Sequence, residues 1–141
     1  MGTNDLAKDL GTRAGERREP LLFALQQGVL AARASGRVAL DGVYNAFKDD
    51  DGLAQECEQG RDMGFDGKTL IHPAQLDVAN QAFGPTEEEI ALAKRQIEAF
   101  EAAEAEGQGV AVVDGKIVEN LHIVTARALL SKAGLIADME G

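Results

Sequence analysis

The sequence predicts an α/β fold, with parallel βα units over residues 1–83 and a helix–hairpin–helix module over 84–141. Three observations carry this expectation. Helical and strand patterns alternate along the first 85 residues with short connections, as in βα units stacked on a parallel sheet. The pattern changes character at Gly84-Pro85, where a long amphipathic helix begins. Finally, Asp41, Asn45, His72 and Gln75 fall at or just after the C-terminal ends of the expected strands. That edge is where α/β folds bind ligands.

Each element has a local reason. Glu19-Pro20 opens a helix, since proline at the first helical position loses no needed N–H. Leu21, Leu22, Leu25, Val29 and Ala32 continue it at helical spacing until Gly36. Arg37-Val38-Ala39-Leu40 reads as a short buried strand running into the Asp41-Gly42 turn. Asp49-Asp50-Asp51 places negative charge where the next helix dipole favours it, and Leu53, Cys57 and Met63 point that helix inward. Lys68-Thr69-Leu70-Ile71 is a second strand, running into His72-Pro73 and a helix to about Phe83. Beyond Gly84-Pro85, Thr86 and Glu89 form a capping box. Ile90, Ala93, Ile97, Phe100 and Ala103 then give a helix ended by Gly107. Asp114-Gly115 joins two short apolar strands with a type I′ turn sequence. Asn120 is expected to cap a last helix over Leu121 to Ala133, closed by Gly134.

Composition narrows the function. The chain has 141 residues, enough for a core, and a formal charge of −10, which argues against sequence-independent nucleic-acid binding. A lone Cys57 excludes an internal disulfide framework and a Cys-based zinc site. No apolar run approaches the roughly 20 residues of a membrane span. Met1-Gly2-Thr3-Asn4-Asp5 lacks the basic and apolar regions of a signal peptide, so a cytoplasmic location is expected. Much of the acidic excess lies between Glu87 and Glu106, a solvated helix face. Arg13, Arg17 and Arg18 form the densest basic cluster and read as a solvated loop, with contact to an anionic group as the alternative. Phosphate loops of the P-loop or dinucleotide type are absent.

Four stretches carry a resemblance. They are Gly2-Thr3-Asn4-Asp5-Leu6-Ala7-Lys8-Asp9-Leu10-Gly11, Leu40-Asp41-Gly42-Val43-Tyr44, Gly64 through Gln75, and Val113 through His122. Together they resemble the C-terminal half of the citrate lyase β-subunit-like enzymes of the HpcH/HpaI aldolase superfamily, which includes malyl-CoA lyases and malyl-CoA thioesterases. The resemblance implies a partial (β/α)8 TIM barrel, about its last three βα units, in residues 1–83. Residues 84–141 would form a C-terminal helix–hairpin–helix lid module. A whole barrel takes roughly 250 residues, so the chain is expected to begin at a metal-bearing strand whose partner strands lie upstream.

The resemblance also implies chemistry. Mg²⁺ would be held by two carboxylates, a ligand set that suits an ion keeping several waters. It would bind a small α-keto acid such as glyoxylate and stabilise the enolate of an acyl-CoA partner. Asp5 matches the second metal carboxylate; a Glu one unit upstream has no counterpart here. Glu119 matches the lid acid that reaches a neighbouring subunit's site, although many members carry Asp there. A homo-oligomer exchanging lids follows from that match. Asp41 and His72 are the candidate supporting residues. Other roles stand beside these: Asp5 as a turn or helix cap, Glu119 as a helix-start carboxylate, Asp41 as a turn former before glycine. His72 could hydrogen-bond backbone, and Cys57 reads as core. The favoured function is that of a Mg²⁺-dependent CoA-ester lyase, cleaving a carbon–carbon bond in a 3-hydroxyacyl-CoA such as malyl-CoA. The alternatives are a malyl-CoA thioesterase and a catalytically silent fragment serving as an oligomerisation or interaction module.

Overall fold

The chain opens with helix α1 (Thr3–Asp9), and the computed structural model describes residues 1–140. A strand was expected to lead. Leu6, Ala7 and Lys8 are instead good helix formers, and Leu6 and Ala7 gain burial by packing on the core. A 3₁₀ turn, Glu19–Leu21, carries Pro20 at its start and feeds α2 (Leu22–Ala34). Strand β1 (Leu40–Asp41), helix α3 (Asp50–Asp62) and strand β2 (Gly67–Lys68) follow. A second 3₁₀ turn, Pro73–Gln75, then leads into α4 (Leu76–Phe83).

β1 and β2 pair in parallel, Leu40 opposite Gly67 and Asp41 opposite Lys68. Both strands are shorter than their patterns suggested. Val38 is 73% exposed and Ile71 52%, so the extended backbone around them finds no ladder partner among the described residues. Side chains alternate across a strand, so Ala39 and Asp41 turn into the core while Val38 and Leu40 face away. Leu21, Leu25, Val29, Leu53, Cys57, Phe65, Ala79 and Phe83 complete that core. Asp49 caps α3 by accepting from the Gly52 N–H at 3.0 Å.

The chain divides into two compact units, Met1–Phe83 and Gly84–Gly141. In the second, α5 (Glu87–Ala105) begins with the expected reciprocal capping box of Thr86 and Glu89. Strands β3 (Ala111–Val113) and β4 (Lys116–Val118) form an antiparallel hairpin. Asp114 and Gly115 take φ of 49° and 75°, the two positive values that a type I′ turn demands. Helix α6 (Asn120–Glu140) runs through Gly134 rather than stopping there. No neighbour stands within 4 Å of a Cβ at Gly134, and Leu135, Ile136 and Ala137 are adequate helix formers that carry the helix past its cost. Asn120 is already helical, so the capping position belongs to Glu119. Phe100, Ala103, Ala111, Val118 and Ile123 form this unit's core. No helix among the described residues is long and apolar enough to cross a membrane.

Candidate active site

Three segments converge at the C-terminal ends of β1 and β2. Thr3, buried at the start of α1, lies against Gly42, where a Cβ would sit 2.1 Å from the Thr3 hydroxyl oxygen. Only glycine permits that approach. One residue on, Asn4 and Asn45 exchange side-chain amide hydrogen bonds of 3.1 and 2.9 Å. These contacts bring the first turn of α1, which holds Asp5, to the loop that follows β1. Gln75, fully buried, joins that loop to the one after β2: its Nε2 donates to the Tyr44 carbonyl at 2.9 Å, and its Oε1 accepts from the Ile71 N–H at 3.0 Å.

Asp5 is exposed, and no hydrogen bond or ion pair engages its carboxylate among the described residues. His72 is exposed at the head of its 3₁₀ turn. Its Nδ1 accepts from the Ala74 N–H at 3.1 Å, which leaves the neutral ring's proton on Nε2. The ring stands 4.7 Å from that of Phe47, centroid to centroid. Tyr44 donates its hydroxyl to Asp49 at 2.6 Å. That bond holds the phenol's pKa up at about 12 and, with the Gly52 N–H, pulls the Asp49 carboxyl below its usual range.

Asp41, a candidate supporting residue, is engaged by side chains of its own unit. It is fully buried, and Arg18 Nη1 donates to both of its oxygens at 2.8 and 2.9 Å. Its own Oδ1 also accepts from the Gly42 N–H at 2.7 Å, and Lys68 Nζ lies 3.3 Å from Oδ2. Lys68 donates to Glu56 at 2.6 Å, and Arg18 Nε to Gln59 at 3.0 Å. Two cations and two anions thus close a buried cluster beneath the edge that carries Asp5 and His72. Arg18 corrects the expectation of a solvated basic loop: it is 3% exposed, with its backbone in the left-handed region at φ 51°. Its Nη2 is buried without a hydrogen-bond partner. Three charges at positions whose patterns call for burial, Asp41, Glu56 and Lys68, were the available signal that a fourth had to join them.

Glu119 belongs to the second unit. Its N–H donates to His122 Nδ1 at 3.0 Å and its carbonyl accepts from the His122 N–H at 2.9 Å, while its carboxylate is exposed at the head of α6. Among the described residues no group of three or more His, Cys, Asp or Glu side chains could hold a metal ion. Asp5 belongs to no such group, so a Mg²⁺ ion at its carboxylate would need ligands besides it.

A parallel βα unit with an unengaged carboxylate, an imidazole and amides gathered at its strand ends makes this an α/β protein with its polar side chains at the edge where such folds bind ligands. Comparison gives it a family. A model described as HpcH/HpaI aldolase/citrate lyase matches residues 1–73, and the chain belongs to that family. A (3S)-malyl-CoA thioesterase of Cereibacter sphaeroides is 68% identical over 97% of the chain and 48% of its own length. The citrate lyase subunit beta of Escherichia coli is 39% identical over 96% of the chain and 45% of its own length. The chain thus spans about half the length of the curated relatives it matches. The crystal structure of CitE from Mycobacterium tuberculosis, in complex with magnesium, acetoacetate and coenzyme A, superposes with a TM-score of 0.77 at 32% identity. It covers 94% of this chain and 50% of its own. These findings correct the expected carbon–carbon lyase, because the 68% relatives are named thioesterases and those named citrate lyase match at 36–39%.

Proposed function

We propose that this chain forms part of a thioesterase acting on (3S)-malyl-CoA, hydrolysing the thioester to free malate and the CoA thiol. The observation that carries this is the 68% identity, over 97% of the chain, to proteins of that name. In this reading residues 1–83 are βα units of a TIM barrel and 84–141 its lid, supported by the parallel pairing of β1 and β2 and by the likeness to CitE.

Asp5 would supply one oxygen ligand to Mg²⁺, a further carboxylate coming from outside this chain's residues. The ion's contribution would be Lewis-acid polarisation of a substrate oxygen. The protein's own groups do the rest. Asn4 and Asn45 fix the first turn of α1, and so the Asp5 carboxylate, against the loop after β1. His72 presents an Nε2–H donor at the same edge, its ring held by the Ala74 N–H. Asp41 acts at a distance, tying β1 to Arg18 and Lys68 beneath the site. Glu119 is the lid acid, delivered to a neighbouring subunit of a homo-oligomer.

The test is release of CoA thiol from (3S)-malyl-CoA with Mg²⁺, by the chain alone and mixed with the other half of the Cereibacter relative. Expected is thiol release that falls on the order of a hundredfold in Asp5→Ala, at least the loss seen for outer partners of a metal site. Undiminished hydrolysis in Asp5→Ala refutes the metal assignment. No release under either condition favours the second reading, an interaction module without catalysis.

A further inference from the structure

The sheet beneath the site is too short to hold the loops above it. β1 and β2 pair over two residues each, and the Thr69 N–H, donating to the Asp41 carbonyl at 3.1 Å, carries the ladder one step further. Beyond it, residues 42–49 and 69–72 run as separate loops. Asn45 on the first holds the end of α1 that bears Asp5, and His72 lies on the second. What joins the two loops is a side chain. Gln75, 0% exposed, donates Nε2–H to the Tyr44 carbonyl at 2.9 Å and accepts at Oε1 from the Ile71 N–H at 3.0 Å. Each bonded backbone group adjoins a residue of the site, since Tyr44 precedes Asn45 and Ile71 precedes His72.

A buried amide ordinarily does no more than satisfy its polar neighbours. Here the two bonds run to different loops and demand opposite polarity, a donor toward Tyr44 and an acceptor toward Ile71. A neutral amide supplies both at once. Fully buried, Gln75 acts through the backbone it holds and not by touching a substrate. We propose that Gln75 is a positioning residue: its amide takes over where the ladder stops and fixes the Asp5 carboxylate and the His72 Nε2–H at one separation. The proposal rests on the thioesterase reading for its purpose, and on the hydrogen bonds alone for its geometry.

Phe47 and His72 supply the ruler for the test. They stand on opposite loops with ring centroids 4.7 Å apart, so the Phe47 ring current shifts the His72 ring protons by an amount that falls steeply as the loops separate. The chain has two histidines, and the other, His122, lies in the second unit as an internal control. Proton NMR of the 141-residue chain at a pH of about 9, above the ordinary imidazole range, keeps protonation from contributing. His72→Gln assigns the signals, and Phe47→Leu gives the His72 shift without a ring beside it. Gln75→Met keeps the length and removes both hydrogen bonds. It is expected to move the His72 signals toward their Phe47→Leu values and to leave those of His122 in place. A purely structural role would lower stability without moving the signals of molecules that stay folded. In the thiol-release assay Gln75→Met should lower kcat by about tenfold to a hundredfold, the range for a reacting group misplaced by about 1 Å, with KM little changed. In a His72→Ala background the same change should cost less than it does alone. If Gln75→Met unfolds by circular dichroism, Gln75→Glu takes its place, since its carboxylate keeps the bond from Ile71 and loses only the donor to Tyr44. Unmoved His72 signals in a folded variant, full additivity with His72→Ala, or unfolding of both variants would overturn the proposal. His72 signals that move in a chain without thiol release defeat the thioesterase reading alone. Thiol release with unmoved signals defeats the positioning role alone.

Discussion

Replacing Asp41 with Ala should remove a large part of the first unit's stability. The substitution removes a carboxylate that accepts from Arg18 Nη1 at 2.8 and 2.9 Å and from the Gly42 N–H at 2.7 Å, with Lys68 Nζ at 3.3 Å. Arg18 and Lys68, 3% and 0% exposed, are then left to share Glu56. Breaking a buried ion pair from one side costs about 3–5 kcal/mol, because the stranded charge stays out of water. A unit of this length has roughly 4–12 kcal/mol of stability in total, so the loss is about a quarter of it or more. Urea denaturation followed by far-UV circular dichroism reads the change, with an unaltered m-value showing that the end states are the same. Combining Asp41→Ala with Lys68→Met restores one cation to one anion. The double variant should therefore lose at least about 1 kcal/mol less than the two singles added together. A loss below about 1 kcal/mol for Asp41→Ala, or strict additivity, would refute the argument that these charges stabilise one another.

Two further predictions use single atoms. Gly60 and Gly134 both lie inside helices, where alanine is ordinarily better by about 1 kcal/mol. A Cβ at Gly60, however, would stand 2.7 Å from Asp41 Oδ2, a carboxylate its partners hold in place. Gly60→Ala should therefore destabilise by about 1–3 kcal/mol, while Gly134→Ala, with open space around it, should stabilise by about 0.5–1 kcal/mol; thermal melts with the same sign for both would contradict the model of the site. Tyr44 is the single tyrosine and the chain has no Trp, so absorbance near 295 nm reports it alone. Its midpoint should lie at about 12, and Asp49→Asn should return it toward the ordinary value near 10. The sign follows from linkage: a raised phenol pKa contributes stability below about 10 that is lost as pH climbs through 12, whereas the depressed Asp49 contributes above the usual carboxylate range and is lost on acidification. A parent midpoint near 10 would sink the Tyr44–Asp49 bond.

Local chemistry was legible from the residues, and long-range chemistry was not. Thr86 with Glu89, Asp49 ahead of α3, and Asp114-Gly115 in the hairpin each act within a few positions, and each took its expected conformation. The placement of Leu25, Val29, Leu53 and Cys57 in the core followed from helical spacing alone. Arg18 defeated the same logic, because three arginines in six residues look hydrated until Asp41, 23 residues on, is seen to meet one of them. Strand lengths were overestimated around Val38 and Ile71, since a pattern records what a residue prefers and not which partner strand is at hand. The Asn4–Asn45 exchange and the Phe47–His72 pair left no periodic trace. Loop residues brought together by tertiary contact rarely do.

The buried charge cluster has a consequence for how the chain assembles. Its members must be gathered across separations of 23 residues from Arg18 to Asp41 and 27 from Asp41 to Lys68. Every such closure costs chain entropy that grows with the logarithm of the loop. In the second unit the hairpin closes on the neighbouring residues Asp114 and Gly115, and its core draws on consecutive elements, α5, β3, β4 and α6. Local contacts form fastest, so the β3–β4 hairpin can close while Arg18, Asp41, Glu56 and Lys68 are still hydrated and apart.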